Sequence, residues 1–221
     1  MVRESGYAER WLNPGTAIIR MKTIRETFGV KRASTDGRFK KEREAYATGV
    51  LALALEKLSN LQWWVEVETV EATPDTRLRR IDSSAGCNFI YTGPIGVVDW
   101  EENVDDIMEV IRKKCERAYP RDYLLLVNAR HVGKVLRFDR ITDEMEKISS
   151  PFLEVWVIAS VGDDQMIAVR IAPGVIRVDF ELNVELERAS KRPAFLKKDI
   201  RGTTPGFRDL GLSFLPIPGR D

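Results

Sequence analysis

Residues 36–72 read DGRFKKEREAYATGVLALALEKLSNLQWWVEVETVEA, and a change of pattern within this stretch decides the fold class. Behind a helix N-cap at Asp36, residues 38–58 are mostly good helix formers with apolar side chains at helical spacing. From residue 61 to residue 72 apolar and polar residues alternate, which is typical of a β-strand. A long helix that leads directly into a strand predicts a core of mixed helix and sheet.

The rest of the chain extends this core. Weak strands are expected at residues 78–81 and 88–92, and residues 95–98 continue or replace the second. A second main helix is expected to start at Asp99 or Glu101, with an apolar stripe that runs to Ala118. The elements expected after it are a buried strand at 123–129, a short helix at 141–148, and strands at 152–160, 165–172 and 175–182.

These elements predict an α+β fold, with a mixed sheet, two main helices and a C-terminal antiparallel meander of three strands. Residues 36–183 are expected to form a single core domain. Residues 1–35 are interpreted as an N-terminal arm, and residues 184–221 as an irregular basic tail. The overall charge is +1, but residues 1–44 carry a net +5 and residues 188–221 another +5. Such basic ends favour contact with nucleic acid, with an acidic partner or with the acidic body of the chain itself.

Composition and residue counts exclude several classes of protein. The chain is 43% hydrophobic and 31% charged, which is typical of a folded globular protein. No signal peptide is visible, and the longest apolar run, Gly49 to Leu55, is too short to cross a membrane, so a cytoplasmic location is expected. One histidine, His131, and two distant cysteines argue against a zinc site and against a histidine-dependent nucleophile.

Carboxylates are the remaining candidates for chemistry. Several lie near the ends of predicted elements or on the predicted sheet, among them Glu42, Glu66 and Asp75. Carboxylate oxygens can hold Mg²⁺ or Mn²⁺ while water and phosphate complete the coordination shell. Glu66 also alternates with apolar residues, so it fits the solvated face of an edge strand equally well.

The order helix, three strands, helix, strand between residues 36 and 129 resembles the core of the restriction-endonuclease-like, or PD-(D/E)XK, superfamily. The resemblance implies an acid on the first helix and an Asp at the second strand, which Glu42 and the Pro74-Asp75 pair would supply. It also implies metal ligands, for which Asp75 and Glu66 are the candidates. The family's Glu-x-Lys motif is missing from the third strand, Asn88-Phe89-Ile90-Tyr91-Thr92.

Two main functions follow as hypotheses. The first is a degenerate nuclease-like domain associated with nucleic acid, in which Arg77, Arg79 and Arg80 meet phosphates. The second is a non-enzymatic assembly protein, since Trp156 on the meander looks exposed and the apolar, proline-rich tail could build a homo-oligomer. A small-molecule enzyme with a carboxylate site is a third alternative, although no residue pattern names its substrate.

Overall fold

The fold is a mixed sheet with helices on both faces. The computed structural model describes residues 10–67, 74–84, 87–100, 106–120, 122–129 and 136–197, and of residues 82–84 and 87–91 the backbone only. The strands within these ranges form one sheet in the order β8-β7-β6-β5-β4-β3-β2-β1-β9. β4, β5 and β6 pair in parallel, whereas the other neighbours pair antiparallel. The predicted α+β class, with its mixed sheet, is confirmed.

Strands and helices alternate along most of the chain. The strands are β1 (Arg10–Leu12), β2 (Trp64–Val67), β3 (Thr76–Ser84), β4 (Cys87–Trp100), β5 (Leu124–Ala129), β6 (Glu154–Ser160), β7 (Gln165–Ala172), β8 (Ile176–Glu181) and β9 (Phe195–Lys197). The α-helices are α1 (Pro14–Phe28), α2 (Val30–Thr35), α3 (Lys40–Ser59), α4 (Ile107–Cys115), α5 (Phe138–Met145) and α6 (Leu182–Ser190). A 3₁₀ turn, Gly37–Phe39, joins α2 to α3.

Helix α3 lies buried at the centre of the molecule. All of its residues from 44 to 56 are buried except Tyr46, because the sheet covers one side of the helix and α1 the other. A helix that is apolar on all sides is typical of such a position. Gly49 lets α1 approach closely, since a Cβ atom at this residue would lie 3.0 Å from the carbonyl oxygen of Pro14.

The opposite face of the sheet carries a second apolar cluster. Helices α4 and α5 cover β4 to β7 there, with Ile107, Ile111 and Ile141 packed on the strands. Further along the same face, Trp11 of β1 and Trp64 of β2 form a small separate cluster. Alternate residues of each strand therefore belong to one face or the other, as the pleat requires.

The second main helix starts later than expected. Asp99 and Trp100 do not begin a helix, because they are the last residues of β4 and pair with Asn128 and Ala129 of β5. Helix α4 begins after Asp106, whose side chain accepts a hydrogen bond from the amide of Met108 as an N-cap does. The expected start at Glu101 lies outside the described residues. The apolar stripe was therefore correct for Ile107 and Ile111, and the expected start at Asp99 was wrong.

The described part of the expected N-terminal arm belongs to the core. Asn13-Pro14-Gly15 begins helix α1, with Pro14 at its first position and the Asn13 side chain as its N-cap. The Asn13 amide also donates to the carbonyl of Ala189 over 2.8 Å, which ties the start of α1 to α6. An arm was the wrong interpretation for residues 10–35, because Leu12, Ala17 and Ile18 are buried in the same apolar cluster as α3.

The expected irregular tail also contains regular structure. Helix α6 begins at Leu182, and its first amides are held by Asp164 in the turn between β6 and β7. This partner lies far away in sequence, so no local cap in the chain announces the helix. β9 then pairs with β1 at the edge of the sheet. Residues 198–221 of the expected tail lie outside the described residues.

The predicted three-strand meander is confirmed as β6, β7 and β8, but Trp156 is not exposed. Its side chain is 1% exposed and donates from the indole nitrogen to Glu154 over 2.8 Å. The other Glu154 oxygen pairs with Arg170 at 3.0 Å, and both side chains are buried. Strand alternation predicts Trp156 at the surface. The helices that cover this face of the sheet bury it, and their position depends on the tertiary structure.

Gly49→Ala is expected to lower the free energy of unfolding by about 1–3 kcal/mol, because the new methyl group overpacks the α1–α3 contact. Helix propensity alone would favour alanine by about 1 kcal/mol, so the sign of the change separates the two effects. Urea unfolding measures the change in the free energy of unfolding. Gly37→Ala is the matched control, since a Cβ atom there meets nothing within 4 Å. Equal stability of both variants would contradict close packing at Gly49.

Arg170→Met is expected to destabilise the fold by about 3–5 kcal/mol, because it leaves the Glu154 carboxylate buried without its cation. Adding Glu154→Gln should restore much of that loss, since glutamine is neutral and still accepts from the Trp156 indole. Urea unfolding of wild type, both single variants and the double variant gives the coupling energy. Additive losses would show that the pair is not coupled.

Candidate functional site

The candidate site lies at the start of β3, where this strand meets β4 under helix α3. Helix α3 runs antiparallel to β2, because the Glu56 side chain near its end accepts a hydrogen bond from the amide of Trp63 just before β2. The hydroxyls of Thr48 and Thr76, 2.7 Å apart, then fix the middle of α3 over the start of β3. The residues of α3 that precede Thr48 therefore lie near Asp75, which directly precedes Thr76 and is level with the start of the parallel pairing between β4 and β5.

Asp75, just before β3, is held against β4. Its backbone amide donates to the carbonyl of Ile95 over 3.1 Å. Its carboxylate accepts from the amide of Val97 over 2.8 Å. The side chain thus continues the β3–β4 ladder one step past the strand, and this contact holds the carboxylate at a defined position.

Glu44 of α3 brings a second carboxylate to Asp75. The residue is 5% exposed. Burial raises the pKa of its carboxyl group, the negative charge of Asp75 raises that pKa further, and the cations of Lys41 and Lys40 oppose the rise. The ammonium of Lys41 lies 3.0 Å from one Glu44 oxygen, and that of Lys40 lies 3.7 Å from the other. We call Glu44 and Asp75 the acid pair.

A further acid lies on the same face of the sheet. Ile95 and Val97 of β4 face α3, so alternation along the strand places Asp99 on that face too. The amide of Asn128 on β5 donates to Asp99 over 2.8 Å. Within the described ranges, however, no three His, Cys, Asp or Glu side chains lie close enough together to hold a metal ion. The acid pair is therefore the feature from which a site can be argued on this face of the sheet.

Glu42 does not join Asp75. Two residues along an α-helix are separated by about 200° of rotation, so Glu42 points away from the side on which Glu44 meets the sheet. It lies on the side of Tyr46, which stacks with Arg25 of α1. The helix acid that the structure places beside Asp75 is Glu44. Its spacing of four residues from Thr48 is the sequence signal that relates Glu44 to the sheet-facing side of α3.

Glu66 lies on the other face of the sheet. Its neighbours in β2, Val65 and Val67, pack against the α3 side, so Glu66 points the opposite way. There its carboxylate pairs with the guanidinium of Arg79, at 2.6 Å from the closest nitrogen. The structure therefore separates Glu66 from Asp75, although the sequence suggested them as metal ligands together.

The three arginines of β3 do not form one surface. Arg79 lies with Glu66, donates to Thr92, and stands over the Trp11 ring at 5.9 Å. Arg80 points to the other face, with its guanidinium 5.5 Å from the centre of the Trp63 ring. Arg77 is half-buried and lies opposite Glu66 in the ladder. Strand alternation thus divides the predicted phosphate-binding row between two faces.

A cavity of about 200 Å³ lies on the α4–α5 side of the sheet and is lined by Trp100 at the end of β4. The charges at its rim are paired with one another: Glu144 contacts both Arg112 and Arg140. Cys115 at the end of α4 is half-buried, and burial raises the pKa of its thiol, which disfavours the reactive thiolate. His131 lies outside the described residues.

Comparison with known proteins gives no match, whether with family models, with curated proteins or with solved structures. Among the described residues, no helix is both long enough and apolar enough to cross a membrane. The geometry of the acid pair is therefore the basis on which a function can be inferred.

Glu44→Gln is expected to raise the free energy of unfolding at neutral pH. The Glu44 carboxyl has a higher pKa in the folded chain than its ordinary value of 4.5, so the folded state loses stability as the pH rises from that value through the folded pKa. Glutamine carries no charge and avoids this loss. Urea unfolding across about pH 4 to 8 measures the effect.

Glu26→Gln on the exposed side of α1 is the control for removing one carboxylate. A Glu44→Gln variant that is less stable than wild type at neutral pH would contradict the expectation. It would mean that the ion pairs with Lys40 and Lys41 outweigh burial and the repulsion from Asp75.

Proposed function

We propose that the protein is a nucleic-acid-associated domain of nuclease-like architecture, in which Glu44 and Asp75 form a reduced site for a divalent cation. The observation that carries the proposal is the contact between Thr48 and Thr76, which brings α3 to the start of β3 and places Glu44 and Asp75 close enough for their charges to repel. The order α3-β2-β3-β4-α4-β5 supports it, because it is the order that the sequence resemblance implies.

The site is reduced because the two β4 residues that contact Asp75 carry no acid. The residues of β4 that contact Asp75 through their backbones are Ile95 and Val97, so neither can ligate a cation through its side chain. Mg²⁺ commonly keeps several waters and is bound by one or two carboxylates together with a substrate phosphate. Two acids therefore suffice for a cation that binds together with a phosphate group.

The residues around the acid pair have separate roles in this proposal. Asp75 is already oriented by Val97, and Glu44 is buried beside it, so the pair is pre-organised for a cation such as Mg²⁺ or Mn²⁺. Bound there, the cation would polarise a phosphoryl oxygen. Lys41 neutralises Glu44 in the free protein and would be released toward the phosphate when a cation takes its place.

The alternative of an assembly protein has lost one of its two supports. Trp156, which was expected to be exposed, lies in the core. The apolar tail from residue 198 onward lies outside the described residues. Homo-oligomerisation stays a prediction from sequence, and no contact in the described chain favours it over the acid pair. A small-molecule enzyme likewise stays a prediction from sequence.

Metal-linked binding tests the proposal. We expect Mn²⁺ or Mg²⁺ to strengthen binding of a short DNA duplex about fivefold or more, a coupling of about 1 kcal/mol, as measured by fluorescence anisotropy at fixed ionic strength. Glu44→Gln and Asp75→Asn should abolish this increment and leave metal-free binding in place. Both substitutions preserve side-chain volume, and the asparagine introduced by Asp75→Asn can still accept from the Val97 amide.

Glu42→Gln is the matched control, since Glu42 is on the same helix and faces away from Asp75. It should keep the full increment. An increment that is absent from wild type, or that survives in both acid-pair variants, would refute the proposed site. A plasmid-nicking assay with the same proteins then decides whether the site is catalytic: nicking that needs Mn²⁺ and Asp75 identifies an enzyme, and binding without nicking identifies a degenerate one.

A further inference from the structure

The chain just before the acid pair is strongly basic. Residues 31–43 contain six cations and two acids. The cations are Lys31, Arg32, Arg38, Lys40, Lys41 and Arg43. Four of them, namely Lys31, Arg32, Arg38 and Lys40, are exposed, and we call these four the basic collar.

The fold holds the collar against the start of α3. The Arg43 guanidinium donates to the carbonyl of Ala33 over 3.2 Å and to the carbonyl of Asp36 over 2.8 Å, so α2 is fastened to α3. The Asp36 carboxylate in turn accepts from the amide of Arg38 over 2.9 Å and caps the 3₁₀ turn. The collar is therefore part of the folded domain.

The collar also retains an excess of positive charge. The side chains of Arg32, Arg38 and Lys40 are 58%, 64% and 57% exposed. One carboxylate, Asp36, contacts two of these cations, and its charge is stable because the Arg38 hydrogen bonds hold the pKa of Asp36 well below its usual range. Asp36 and the buried Glu44, which lies 3.7 Å from Lys40, offset two of the four cations, so a net charge of about +2 remains.

The collar is continuous with the acid pair through Lys40, whose ammonium lies 3.7 Å from Glu44. From Lys40 to Glu44 the helix rises about 6 Å. One strand of a duplex carries a phosphate about every 3.4 Å of its axis, so this distance corresponds to about two phosphate steps. Long lysine and arginine side chains around Lys40 reach further still.

We infer that the basic collar binds the backbone phosphates that flank the phosphate held at the acid pair, which makes a nucleic-acid strand the substrate class of this site. The inference rests on the proposed function. Arginine forks bind phosphates bidentately, and a cation held by the acid pair would be completed by a phosphate, which together favour a row of phosphates over an acidic protein. This surface replaces the divided arginines of β3 as the place where phosphates would meet the protein.

The salt dependence of metal-free DNA binding tests the collar. Each phosphate contact contributes about 0.9 to the slope of log K against log salt for a duplex. Lys31→Gln, Arg32→Gln and Arg38→Gln combined are expected to lower the slope by about 2–3 and to weaken binding at low salt at least tenfold. Lys40 is left intact because it contacts Glu44.

A control variant with Lys57→Gln, Lys147→Gln and Lys191→Gln removes the same charge from exposed positions elsewhere, and it should keep nearly the full slope. Urea unfolding checks that both triple variants fold, and Lys31→Gln alone, with an expected slope change of about 0.9, serves if the collar triple variant does not. Equal slopes for the collar and control variants would overturn the inference. So would a polyglutamate chain of matched charge that displaces the bound DNA as well as unlabelled DNA does. If wild type binds no DNA at all, the proposed function itself fails. If the collar variant keeps both the metal-dependent increase in binding and an unchanged salt slope, only the inference about the collar fails.

Discussion

Helix α3 can lie buried between the sheet and α1 because polar groups along it find partners on other elements. Thr48 meets the hydroxyl of Thr76, and Glu56 accepts from the amide of Trp63 and pairs with Arg192 at 2.7 Å. These contacts fix both the direction of α3 and its height above the strands. The positions of three other elements follow from that placement. Helix α1 and strand β2 pack on α3, and α6 packs on α1.

Glu44 is the exception among the buried polar groups of α3. Its partner on the sheet side is another acid, Asp75, and burial already raises its pKa. A core selected for stability alone would favour a neutral residue here, because an ionised carboxylate in a buried position costs free energy. A buried carboxyl group with a raised pKa beside a second acid is typical of functional sites, and it is the physical reason for placing the proposed function at the acid pair.

The two-residue period of a β-strand decides which candidate residues can act together. It sends Glu66 and Arg79 to one face and Arg80 to the other, so residues that are adjacent in sequence are separated by the thickness of the sheet. The same period keeps Asp99 on the α3 face. On α3, a shift of two residues has a similar effect, which is why Glu44 and not Glu42 meets Asp75. Which residues can form a site together therefore depends on the direction in which each side chain points, and the amino-acid composition does not contain that information.

The amino-acid sequence by itself determined the long helix α3, the strand β2 after it, the meander of β6 to β8 and the α+β class, because local periodicity and turn residues encode these features. It also made Asp75 a candidate, through the Pro-Asp turn before β3. Only the tertiary structure decided that Glu44 is its partner, that Asp99 ends a strand, and that residues 10–35 and 182–197 complete the core. Each of these outcomes depends on contacts between residues that are distant in the chain, such as Asn128 with Asp99 or Asp164 with the start of α6. Such contacts leave no periodic mark in the sequence, since the side chains involved are placed by sheet register and helix rotation.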